Sequence, residues 1–173
     1  MHVSTQAFNP LNFLNPFNPL NQINCSTTML AFFSKEDETR IIEAIRAAER
    51  NTSGEIRVHL EKKLNKDVIA EARDTFAKLG MHNTEARNGV LLFIAPEAHQ
   101  FAIIGDEGIH QQVGEQFWQE ERDLLQTYFR QGDFTEGICQ AIAIIGDKLK
   151  AYFPYLDEDQ NELPDDISYS KDV

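Results

Sequence analysis

The chain has 173 residues, 42% of them hydrophobic, enough to build one domain with its own core and to leave tails over. Its formal net charge of −12 is the wrong sign for a protein that neutralises nucleic-acid phosphates with a basic stripe. No apolar run is long enough to cross a bilayer as a helix.

Residues 1–33 read as a low-complexity, disordered leader. They carry no Asp, Glu, Lys or Arg, and asparagine recurs at every third position from Asn9 to Asn24. That period belongs to neither helix nor strand, and Pro10, Pro16 and Pro19 break both. The basic start and unbroken apolar core of a secretory signal are lacking. Met29 offers an alternative start of translation.

The expected domain runs from 34 to 154. Ser34 and Asp37 form a capping-box pattern, and Ile41, Ile42, Ile45 and Ala48 follow at helix spacing until NTSG at 51–54. In EIRVHLE, residues 55–61, apolar and polar residues alternate as in a half-buried strand. A second helix is expected from about Asp67 to Leu79. GVLLFIA at 89–95 suits a central strand covered on both faces, and QFAIIG at 100–105 returns beside it. Two helices then follow, one ending at Gly132 and one capped by Asp133 and stopped by Pro154. This order, αβαββαα, implies an α/β domain whose small mixed sheet has helices on both faces. Residues 155–173 read as a disordered acidic tail, because from Asp157 onward there are seven acidic residues against one lysine.

Topology gathers several of the acids. A helical crossover makes the first two strands parallel, and a tight turn makes the next pair antiparallel. Glu55 at the start of strand one, Asn88 before strand two, and Asp106-Glu107 after strand three then share one rim of the sheet. Asp133 or Glu136 would add an oxygen if the last helix began over that rim. Such an oxygen set suits calcium or magnesium, and without a cation the clustered carboxylates would raise one another's pKa values. Each residue also has a purely structural reading: Glu55 as an exposed strand start, Asp106-Glu107 as acids favouring a helix N-terminus, and Asp133 with Glu136 as an N-cap pair.

Other chemistries lack their residues. No Cys or second His stands at zinc spacing from His59, which is expected on the polar side of strand one, and His82, His99 and His110 read as loop residues. No phosphate loop, nucleophile elbow or H-E-x-x-H occurs. Residues 157–168 begin like an EF-hand, but Glu162 replaces its glycine and Ser168 its bidentate Glu. Cys25 and Cys139 read as unpaired thiols, and Trp118 with Phe117 as core.

TSGEIRVHLE (52–61), LGM (79–81), RNGVLLFIA (87–95), FAIIGDEGIH (101–110), FW (117–118), FRQGDFTEGI (129–138) and IIGDKLKAYFP (144–154) together resemble the TPM domain family in order and spacing. The resemblance covers about residues 34–154. It implies a Rossmann-like αβα sandwich and a divalent-cation site, commonly for calcium, with Glu55, Asp106, Glu107 and Asp133 at the matching acidic positions. It also brings the acid phosphatase activity associated with plant members. The longer members' signal and transmembrane helix have no counterpart in this sequence, so a short, stand-alone cytoplasmic form is expected. The expected role is a divalent-cation-binding accessory or protein-interaction module. A metal-dependent phosphatase of low activity is the alternative, with Arg87 as phosphate contact, and tethering of protein partners by the leader or tail is the third reading.

Overall fold

The computed structural model describes residues 32–155, 164 and 166–170. Helix α1 spans Lys35–Glu49 and opens with the expected capping box: Asp37 N donates to Ser34 Oγ at 3.1 Å, and Ser34 N donates to the Asp37 carboxylate at 3.2 Å. Strand β1 is Ile56–Leu60, helix α2 is Val68–Lys78 capped by Asp67, and a single 3-10 turn covers Met81–Asn83. Strands β2 (Val90–Ala95) and β3 (Gln100–Gly105) form a hairpin. Helix α3 spans Glu107–Gln131, divided by a break at Gly114, and α4 spans Phe134–Tyr152. A last strand, β4, covers Ile167–Tyr169.

The sheet order is β3-β2-β1-β4, with β1 parallel to both β2 and β4 and with β2 antiparallel to β3. Side-chain alternation splits it into two cores. Ile56, Val58, Val90, Leu92 and Ile103 pack with apolar residues of α1, α3 and α4, whereas Leu91, Phe93, Ala102 and Ile104 pack with Val68, Ala72 and Phe76 of α2. The result is an α/β domain in three layers, helix–sheet–helix.

Four expectations need correction. The folded part begins before Ser34: Phe33 is buried, and Phe32 packs edge-on against both Phe33 and Phe134. β1 is buried at every position rather than half-buried, because β2 flanks it on one side and β4 on the other. His59 is therefore inside the fold, stacked on Phe93, and burial lowers its pKa. The 155–173 segment is not wholly a tail, since it supplies β4. His110 lies within α3, where its Nδ1 accepts from Trp118 Nε1 at 3.2 Å. The readings of residues 1–31, including Cys25 and Met29, and of 156–163, 165 and 171–173 lie outside the described residues.

Candidate functional site

The rim forms from backbone pairing. Val90 is aligned with Ile56 on one side and Gly105 on the other, Val90 N donates to Glu55 O at 2.7 Å, and Asp106 N donates to Gly89 O at 2.9 Å. The ends of three strands thus bring Glu55, Asn88 and Asp106 to one edge. All three side chains are buried.

Asp106 is the centre of this edge. It caps α3, its Oδ1 accepting from Glu107 N at 2.8 Å. Its two oxygens also accept from Arg87, Oδ2 from Nε at 2.7 Å and Oδ1 from Nη2 at 2.8 Å. This fork pairs a carboxylate that is 1% exposed with a guanidinium whose side chain is 40% exposed. A planar guanidinium meets a carboxylate with two parallel donors, a geometry lysine cannot supply. The pairing raises the Arg87 pKa further.

The loop before β2 holds Arg87 in place. Arg87 has a left-handed backbone (φ 53°), Ile109 N donates to its carbonyl, and Asn88 N donates to Thr84 Oγ1. Gly108, two residues into α3, lets this loop approach, since a Cβ there would stand 2.2 Å from Ala86 O. Asn88 is fully buried; its Nδ2 donates to Ser53 Oγ at 3.3 Å, and its Oδ1 has no hydrogen-bond partner. A buried oxygen without a donor calls for an explanation, and an ion or a water is one.

The other expected ligands are placed differently. Glu107 Oε1 accepts from Gln111 Nε2 one turn along α3. Asp133 lies at the opposite rim: Trp118 abuts Gly105 at the end of β3, whereas Phe129 packs on Phe101 near its start. Helix α3 therefore traverses the sheet, and α4 begins about 17 Å from Asp106, the length of a six-residue strand. Nor does the Asp133 side chain cap α4. Its backbone N–H is used in closing α3, donating to Tyr128 O across the left-handed Gly132. Glu136, one turn on, pairs with Arg40 of α1. No group of three or more His, Cys, Asp or Glu side chains able to hold a metal ion occurs among the described residues.

The sequence reading missed the cavity beside Asp106. Its volume is about 330 Å³; Phe76 and Ile104 give it apolar walls, and Arg73, His82 and Arg87 border it along with Asp106. Arg73 and Phe76 one turn apart on α2, with Arg87 singled out beside the rim, were the available signals. Nothing in the sequence pairs Arg87 with Asp106.

No helix among the described residues is long and apolar enough to cross a membrane. Comparison with known proteins gives a family and a similar solved structure. The family model for the TPM domain matches residues 27–148. The NMR structure of the BA42 protein from the psychrophilic bacterium Bizionia argentinensis sp. nov. is similar at 45% identity and a TM-score of 0.77, over 83% of this chain and 99% of that one. No curated protein matches the chain.

Proposed function

The chain belongs to the TPM domain family, and on that premise we propose that it is a divalent-cation-binding accessory module whose site is the Glu55–Asn88–Asp106 rim. The observation that carries this reading is the orphaned Asn88 Oδ1 on a fully buried side chain, at the sheet edge that also carries the buried Glu55 and Asp106. Asn88 and Asp106, with Glu55, are hard oxygen donors of the kind calcium and magnesium take. Three protein residues leave room for water, which magnesium in particular retains. Without the ion, Arg87 supplies the positive charge next to Asp106, so cation and guanidinium compete for the same carboxylate. Glu107 lies within reach as an outer charge, and Asp133 is left out of the set on geometric grounds.

Titration calorimetry of calcium, then magnesium, into the full chain tests this. Wild type should bind one ion, and Asn88→Ala and Asp106→Asn should each weaken binding about tenfold or more. Equal affinity in all three proteins would sink the assignment.

The cavity favours a second reading, hydrolysis of phosphomonoesters, because Arg73, His82 and Arg87 border an apolar space large enough for a small ester. A bound cation would polarise a phosphoryl oxygen. The residues themselves would orient the ester, with the arginines on its oxygens and Phe76 along its apolar part. Turnover of p-nitrophenyl phosphate that survives Arg87→Met unchanged would exclude that use of the cavity.

A further inference from the structure

Strand β4 lies outside the region matched by the family model and away from the rim. Its seat on β1 is built from buried polar side chains. Arg57 Nη2 donates to Asp166 Oδ1 at 2.7 Å, and His59 Nδ1 is hydrogen-bonded to Ser168 Oγ at 2.8 Å. Both Arg57 and His59 are 5% exposed. Ile167 is buried between these two contacts, and the ladder continues with Ser170 N donating to Leu60 O at 2.9 Å and Lys62 N to Ser170 Oγ at 3.1 Å.

The seat is deeper than its occupant. Burying an arginine and a histidine is costly where an apolar pair would suffice. Arg57 Nε has no hydrogen-bond partner, and His59 Nε2 is 3.6 Å from Glu61 Oε2. By contrast, β4 is three residues long and buries one aliphatic side chain. The Asp166 side chain is 56% exposed, and Tyr169 is half exposed, its hydroxyl reaching Glu38 at the surface. A pre-formed strand edge with one cationic reader, one apolar slot and one hydroxyl reader is the equipment of strand addition, in which main-chain bonds give affinity and alternate side chains give specificity.

We infer that the side of β1 away from β2 is a strand-accepting groove for an extended segment of a partner protein, and that β4 is its displaceable internal occupant. The segment it takes runs parallel to β1 and reads acidic–aliphatic–hydroxyl–aromatic. The acid meets Arg57, the aliphatic residue fills the Ile167 slot, and the hydroxyl meets His59. Because the chain carries a net charge of −12, the partner's flanking residues are neutral or basic, with the single acid selected by Arg57. The tethered β4 competes at an effective concentration of about millimolar, so the intact chain takes the segment weakly until β4 is released.

A fluorescein-labelled peptide with the sequence of residues 164–173 tests this by anisotropy, against the full chain and the full chain carrying Ile167→Asp. Ile167→Asp should raise peptide affinity about tenfold or more. The same peptide with Asp166→Asn or Ser168→Ala should bind that chain about fivefold more weakly, and these peptide changes cannot unfold the protein. An Ile167→Asp chain that keeps a native amide spectrum yet binds no better than wild type overturns the inference, as does equal binding of all three peptides. An Ile167→Asp chain that no longer folds also overturns it, because a displaceable strand is dispensable. Dimerisation of wild type by exchange of β4 between copies would assign the groove to a second copy instead of a foreign segment.

Discussion

Glu121 offers a stability measurement whose size and sign follow from its surroundings. It lies on α3 between the buried Trp118 and Leu125, is 2% exposed, and has an Oε2 with no hydrogen-bond partner. Burial, helped by the neighbouring Glu120, pushes its pKa up from 4.5 to about 7. Between those values the unfolded chain has released this proton while the folded chain keeps it. Stability therefore falls as pH rises, by about 1.4 kcal/mol per pH unit. The contribution is intact below the unfolded value and lost as pH passes through the folded one, a total of about 3 kcal/mol. Glu121→Gln keeps the shape and removes the titration. Urea unfolding followed by Trp118 fluorescence, from about pH 4.5 to pH 8, should show the variant gaining about 3 kcal/mol on wild type across that range. The comparison cancels other titrations, chiefly that of His59, whose lowered pKa makes stability decline as pH falls below 6.5. A difference that stays flat across the range would refute the argument.

Asp106→Ala leaves Arg87 without its carboxylate and α3 without its N-cap, and should cost about 2–3 kcal/mol in thermal unfolding after discounting for the exposed guanidinium. Gly108→Ala drives a Cβ into the Ala86 carbonyl, so it should destabilise by about 2 kcal/mol or more and shift the amide resonances of residues 84–88. Ser34→Ala removes one arm of the α1 capping box and should cost about 1 kcal/mol in urea unfolding, with no change in ion binding.

The regular elements were legible because their signals are local. Ser34 with Asp37, Asp67, Gly132 and Pro154 mark helix ends by chemistry that acts within a turn, and the apolar run at 89–95 announces a strand covered on both sides. The rim followed from strand directions alone, which placed Glu55, Asn88 and Asp106 together. Asp133 went astray because topology orders the elements without measuring them, and α3 is long enough to cross the sheet. β4 was hidden because three residues in an acidic stretch carry no periodicity. What fixes it is Arg57 meeting Asp166 and His59 meeting Ser168, contacts spanning 109 residues of sequence. The Arg57-His59 face looked polar and exposed for the same reason. The fork between Arg87 and Asp106 was equally invisible, since either residue alone passes for a surface charge.

The Arg87 side chain, paired with Asp106, reports directly on whether the rim takes a cation. The Hε resonance of Arg87, donated to Asp106, can be followed together with the Asn88 side-chain amide while calcium and then magnesium are added to the full chain. The cation account expects both signals to move and saturate together, with amide shifts confined to Glu55, Asn88, Asp106 and Glu107. If both signals stay fixed up to about millimolar ion, a range in which weak calcium sites fill, the guanidinium is the permanent partner of Asp106 and the rim is structural.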